Sequence, residues 1–443
     1  MGGVCSLISL IMEDVYEAGP SPPGEDFVPV PSRSRPPVSI LLSTFLFCAE
    51  TAAACWMAAG YGRSEDEVWM SLTIVFMLVP SIMVQLTLTF IHRDLGRHRT
   101  LVLLWHLLQL GPIIRCVEAL MVYCQMGREE EPYVTISRKK HHRSWGVFEE
   151  EEREVGHSLR KLATHRDAFK RTAVIQAFLG STPQLTLQLY VTVLERYVPP
   201  ARAFLMAMSL ASTTYGASVL NILAIQIKYD DYKVQLSVPA FVCVVLWRAL
   251  EIATRVTVLV LFCAALKLWV AVVIVVNMVA LFLLPWVNFW RRGNSIPENV
   301  EKSFSGIGTM IVLGSVTLLY SAINMFCWSA VQLNLAERGL IDQSQNWGRL
   351  SLHYAFRLLE NTALILLWYF YKEDGFEYFC SPLLVVQLLF GYAAAIFFML
   401  FFYQYFHPCR SLFSRNVSDL LSCAYCKTTK PLQRRGVGRE SIV

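Results

Sequence analysis

Charge is scarce in this chain. Asp, Glu, Lys and Arg make up only 16% of its 443 residues while hydrophobic residues reach 55%, a balance that a soluble domain of this length would struggle to hide. The scarcity therefore argues for an integral membrane protein. No nucleophile, acid–base pair or metal cluster stands at usable spacing, which argues against an enzyme and calls for no cofactor. The 12 cysteines lie mostly inside apolar segments without a disulfide framework. Cys423 and Cys426 form a lone CxxC with no second pair, so no zinc site is expected. The opening ten residues lack a basic n-region and a cleavage site, so no cleavable signal peptide is expected. The net charge of +5 comes from basic residues in loops and tail, where they set orientation rather than grip nucleic acid.

What fills the chain instead is long apolar runs. Ten segments are expected, at approximately 38–60, 68–91, 101–124, 170–193, 203–227, 239–265, 268–290, 306–333, 351–371 and 381–406. Val244 to Cys263 organises them, because Arg248, Glu251 and Arg255 stand on one helical face of an otherwise apolar run. Ionisable groups in a span cost about 2.5–3.5 kcal/mol each on insertion scales. They therefore face a bundle interior or a water-filled groove, and two readings stand: an ion-pair ladder that locks helices together, or a polar track through the membrane. Glu50 lies in the first segment. Arg115 and Glu118 follow the Gly111-Pro112 break in the third, and Arg357 and Glu360 repeat their spacing in the ninth.

Residues 1–37, acidic and Pro-rich, read as a disordered cytoplasmic arm, with Gly2 and Cys5 as candidate lipidation sites. The transmembrane domain is placed at 38–406 and a cytoplasmic tail at 407–443. Basic residues put the tail and the loop at about 125–171 in the cytoplasm, on the same side as the N-terminal arm. Since loops 92–99 and 125–171 are both basic, segment three is expected to enter and return. Five segments in each half then suggest two pseudo-symmetric halves in an inverted repeat. The fold class is thus an all-α polytopic membrane protein with about eight spanning and two re-entrant segments, the second being segment nine or its rival, segment eight. Within the loop, Glu131, Pro132, Tyr133 and Val134 begin an alternating run whose open edge is a candidate docking strand.

Gln176 to Tyr190, QAFLGSTPQLTLQLY, resembles the signature of the XK family of membrane proteins. Similar stretches occur at Val84 to Asp94, Gly111 to Glu118, Glu131 to Ile136, Asn221 to Tyr232, Trp247 to Arg255, Ile323 to Leu333 and Gln404 to Phe413. In the signature itself Pro183 interrupts a helix, and Gln176, Gln184 and Gln188 offer amides either to neighbouring helices or to headgroups. The resemblance implies phospholipid scrambling, the ATP-independent movement of lipids between leaflets, in a multi-pass protein of the plasma membrane. Glu50, Arg115, Glu118, Gln184, Arg248, Glu251, Arg255, Arg357 and Glu360 would then be the lipid path. It further implies a bridge-like lipid-transfer protein docked at Glu131 to Val134, and a single-span partner joined through Cys380, for which pairing with Cys327 is the alternative. The tail carries no DxxD, so caspase activation is not implied. A solute or ion transporter, in which the same charges enclose a lipid-free cavity, and a non-transporting scaffold are the competing readings.

Overall fold

Twenty-nine residues without an internal Gly, and with Pro239 confined to the first turn, make one unbroken helix at the centre of the protein, Val238–Leu266. In the computed structural model the described residues are 38–91, 104–105, 108–129, 165–166, 168–229, 237–292, 306–335, 341–342, 347–371 and 381–407. The helices are numbered α1 (Val38–Arg63), α2 (Glu67–Ile91), α3 (Gly111–Glu129), α4 (Thr182–Glu195), α5 (Pro200–Tyr229), α6 (Val238–Leu266), α7 (Trp269–Arg292), α8 (Gly306–Phe326), α9 (Trp347–Tyr371) and α10 (Ser381–Phe401). A helical stretch at 168–176 leads through a π-helical turn, Ala177–Ser181, into α4, and a second π turn, Phe402–Phe406, follows α10. Each expected segment finds its helix.

Connections are tight where residues of positive φ end the helices, Glu65 after α1, Arg196 after α4 and Lys267 after α6. α6 is the hub. It packs on α4, α5, α7, α8, α9 and α10, while α1 packs on α2, α3 and α5. Trp247 of α6 anchors one cluster with Tyr354, Tyr392, Phe402 and Tyr403. Ile252, Val256 and Val260 of the same helix join Phe178 and Ile323 in a second. A third, built on Ala54, Met57, Tyr61, Leu187 and Leu205, ties α1 to α4 and α5.

The all-α membrane architecture is as expected, but the count of spans is not. Among the described residues six helices are long and apolar enough to cross a membrane, α1, α2, α5, α6, α7 and α10, rather than about eight. The others fall short for local reasons. α3 carries Arg115, Glu118, Arg128 and Glu129 in 19 residues, α4 is cut from its lead-in by the π turn, and α9 contains Arg349, His353, Arg357 and Glu360. α8 is apolar and uncharged throughout but only 21 residues long. The eighth segment was expected to run helically to residue 333, yet the helix stops at Phe326. Beyond it the chain turns through buried Cys327, Trp328 and Ser329 to a two-residue antiparallel ladder, Gln332–Leu333 with Ile341–Asp342.

Candidate functional site

Two polar clusters lie inside the helices, one in each half of the chain. The first is built on α1. Glu50 sits near the middle of that helix, 4% exposed, and each carboxylate oxygen accepts one serine hydroxyl at 2.7 Å, Oε2 from Ser181 and Oε1 from Ser209. Ser181 ends the π turn, where one extra residue rotates the side chains out of ordinary helical register. Thr182 closes that turn by donating to the Ala177 carbonyl at 2.7 Å. The turn is wedged between neighbours that leave no room for a Cβ. A methyl at Gly216 of α5 would meet Ala177 Cβ at 2.4 Å, and one at Gly180 would meet Pro80 Cγ and Gln176 Nε2 at 3.0 Å.

A small half-open cavity adjoins Glu50, lined by α1, α2, the turn before α3 and the π turn. Gln184 lines it, 2% exposed, with neither its Oε1 nor its Nε2 bonded to a protein group. Across it, Gln109 adopts a left-handed backbone and donates Nε2 to the Met77 carbonyl at 2.9 Å, one turn below Pro80, whose missing N–H loosens α2 there. Leu108 and Leu110, on either side of Gln109, are exposed apolar residues. A second small cavity, lined by Ser43, Pro112, Thr172, Ser212 and Tyr215 among others, shares Gln176 with the first. The two form a groove along one face of α1.

The second cluster is built on α6 and is closed. Arg255, 2% exposed, donates Nη1 to Asn361 Oδ1 at 2.6 Å, Nη2 to Glu360 Oε1 at 2.9 Å and Nε to the Met325 carbonyl at 3.2 Å. Arg357 donates Nη1 to Glu360 and to Asn277 Oδ1, and Nη2 to the Asn324 carbonyl at 2.8 Å. Glu360 Oε1 also accepts from Asn277. Arg248 lies over the Trp247 ring at 4.1 Å and donates to Glu251 at 3.0 Å and to Asn221 at 2.6 Å. Glu251 Oε1 accepts the backbone N–H of Trp328 at 3.0 Å.

These partners give the cluster a defined task. A helix leaves its last carbonyls without intrahelical donors, and in a lipid core each such group costs several kcal/mol. α8 ends beside the middle of α6, and its terminal carbonyls at Asn324 and Met325 are taken up by two guanidinium groups, with charge of the sign that the helix dipole favours. Glu251 secures the first turn of the returning chain. Five of the expected path residues, Arg248, Glu251, Arg255, Arg357 and Glu360, thus meet around one helix end. Glu50 and Gln184 meet at the groove. Arg115 and Glu118 are half-buried on α3, outside both clusters.

Glu131 to Val134, Cys380, Gly2 and Cys5 lie outside the described residues. Cys327 is a buried thiol. Sequence reasoning missed Ser181, Ser209, Gln109 and the four asparagines Asn221, Asn277, Asn324 and Asn361. Asparagine inside an apolar run, as at Asn277 and Asn324, was the available signal, because a buried amide demands partners.

A helical membrane protein with paired buried charges and a polar side groove is the class that the geometry defines. The chain belongs to the XK-related family: the model for XK-related protein matches residues 38–408. It is 55% identical over 407 residues to the endoplasmic reticulum membrane adapter protein XK of Rattus norvegicus, covering 90% of this chain and 91% of that protein. The Mus musculus protein of that name is 54% identical over 407 residues, covering 91% of each chain, and that of Pan troglodytes 53% over 412 residues, covering 92% of each. The relatives' name puts them at the endoplasmic reticulum, which overturns the expectation of a plasma-membrane location. The expectation of a non-enzymatic chain rests on this membership rather than on anything missing from the structure.

Proposed function

We propose that this chain is a scramblase-like protein of the endoplasmic reticulum membrane whose headgroup path is the groove at Glu50. One observation carries the reading: a buried carboxylate and an unpartnered amide, Glu50 and Gln184, line a half-open cavity flanked by exposed apolar residues. A headgroup entering hydrocarbon loses its water, and groups that replace those hydrogen bonds lower that cost while the acyl tails stay in lipid. A half-open cavity fits this task better than the closed chamber of a solute transporter. The α6 cluster takes no part in the path on this reading; it holds α8.

The same observations bear on the topology. Two helices break beside the middle of another, α3 at its start next to α2 and α8 at its end next to α6. They are the third elements of the two halves, so we assign the two re-entrant roles to α3 and α8. α9 is one unbroken helix of 25 residues, about 37 Å long, and spans a core of about 30 Å on its length. Eight crossings then remain, in two pseudo-symmetric halves with both termini cytoplasmic.

The relatives' designation as adapters favours a second reading, in which the chain recruits a partner. Glu131 to Val134 would dock a bridge-like lipid-transfer protein, Cys380 would hold a single-span partner, and scrambling would spread the delivered lipid between leaflets. The test is reconstitution of the purified chain in liposomes with a fluorescent phospholipid and an impermeant quencher. Quenching well beyond the outer-leaflet half, reduced in a folded Glu50→Gln variant, is the expected result. A folded protein with no effect on the inner leaflet overturns the scramblase reading and leaves the adapter.

A further inference from the structure

Resting on the reading of the Glu50 groove as a lipid path, we infer that the turn Leu108 to Leu110 is a lateral gate, latched to α2 by Gln109 and opening between α2 and α3. The cavities along the groove are small, so a headgroup reaches Glu50 only when one wall moves. Most of the walls are packed. α1 runs against α2 and α5, and the π turn sits where neither Gly180 nor Gly216 has room for a methyl. Among the described residues α2 and α3 do not pack along their length.

At that seam a side chain holds the turn. Gln109 Nε2 donates to the Met77 carbonyl at 2.9 Å, about 15 Å along α2 from its start at Glu67, which sets the contact near the middle of a core about 30 Å thick. Both partners are built for release. Pro80, one turn on, has no N–H for the Phe76 carbonyl, which loosens α2 beside the latch. Gln109 stands at φ 61°, a left-handed backbone that is costly for a residue with a Cβ. The turn around it closes on itself, Leu108 N–H to the Leu104 carbonyl and Leu110 N–H to the Trp105 carbonyl, both at 2.9 Å. Those bonds stay inside the turn, so it swings outward as a unit once the Gln109 bond breaks. Pro112, at the start of α3, has no N–H to tie back to the Leu108 carbonyl, which leaves the joint free to hinge. Leu104, Leu108 and Leu110 are exposed and apolar. They stay in hydrocarbon whether the gate is shut or open, and so oppose neither state.

Labelling by dicyclohexylcarbodiimide, a lipid-soluble reagent that adds to carboxylic acids, reads the gate on the full chain in liposomes without requiring transport. Gln109→Leu keeps a side chain of similar bulk and the same left-handed cost but loses the donor. The expected result is Glu50 labelled roughly two- to tenfold faster, the scale of one hydrogen bond. Glu251 labelling stays unchanged, and lipid movement speeds up by a similar factor. A Met77→Cys, Gln109→Cys pair joined by a short, reducible thiol cross-linker should slow both labelling and lipid movement, with recovery on reduction. The unsubstituted protein, treated alike, controls for the native cysteines, and the cross-linked pair decides the matter if Gln109→Leu does not fold. Glu50 labelling that ignores both the substitution and the cross-link overturns the gate, whatever the lipids do. Labelling that responds to both, with no lipid movement in any form of the protein, leaves the gate standing and refutes scrambling.

Discussion

Two glutamates sit near the middle of two long helices, Glu50 in α1 and Glu251 in α6, each the first helix of its half, and they are held in opposite ways. Glu251 is locked: Arg248 and the Trp328 N–H occupy its oxygens, and the end of α8 fills the space beside it. Glu50 is steadied by neutral groups alone, the hydroxyls of Ser181 and Ser209 with Ser212 and Gln176 beside them, and a small cavity lies next to it instead of a helix end. Charge meets charge at the first site. At the second, charge meets dipoles and room. Buried acids are thus no uniform sign of function in this membrane protein; the partner set decides which one is a fastener and which one faces a ligand.

The sharpest way to break the comparison is to remove both acids in turn. Glu251→Leu leaves Arg248 buried with Asn221 alone and orphans the Trp328 N–H, and breaking a buried pair from one side costs about 3–5 kcal/mol. Glu50→Leu removes a partner from the neutral groups of Ser181, Ser209, Ser212 and Gln176, and Ser181 retains the Gln176 carbonyl as an acceptor, so about 1–2 kcal/mol is expected. Thermal unfolding in detergent should rank them in that order, with Glu251→Leu failing to give a monodisperse protein. Equal losses would mean that Glu50 is a fastener as well.

Glycine sharpens the contrast next. Gly216→Ala drives a methyl into Ala177 at the π turn and should cost about 1–3 kcal/mol by overpacking. Gly314→Ala in α8 meets no atom within 4 Å and should be neutral or stabilising by up to about 1 kcal/mol, the helix propensity of Ala over Gly. Paired melting curves check both signs. Glu50→Gln, by contrast, keeps the shape of the side chain and should leave the melting midpoint within a few degrees while slowing lipid movement about tenfold, equivalent to about 1.4 kcal/mol. An unchanged rate in the liposome assay would remove Glu50 from the path.

Much of this was legible in the sequence, and the misses have physical causes. Apolar runs located each of the ten described helices, α1 to α10, because hydrocarbon thickness sets segment length directly. The charges on one face of α6 correctly announced a polar interior. Whether they formed a track or a lock depended on what stood opposite, and Asn324 and Met325 contribute backbone carbonyls, which no side-chain pattern reveals. The early end of α8 was hidden for the same reason: Phe326-Cys327-Trp328 is as apolar as the helix before it, and the stop depends on capping by residues far along the chain. Glu50 was visible as an acid in an apolar run, but Ser181 and Ser209 were not, since serine is common in membrane helices and its role here follows from a π turn.

Gln184 offers the smallest effect and the one whose sign matters most. Its amide is buried with both polar atoms unpartnered, and such a group costs about 1–3 kcal/mol relative to an apolar side chain of similar shape. Gln184→Leu should therefore raise stability by about 1 kcal/mol, seen as a higher melting midpoint, while lipid movement in liposomes slows. Asn361→Leu in the α6 cluster should do the opposite, because Asn361 Oδ1 accepts from Arg255 at 2.6 Å and its loss strands a guanidinium N–H. A polar group that destabilises the resting protein and is kept at a cavity wall is the expected mark of a binding residue. If Gln184→Leu melts lower instead, the amide is part of the packing and the two halves of the protein differ less than their geometry implies.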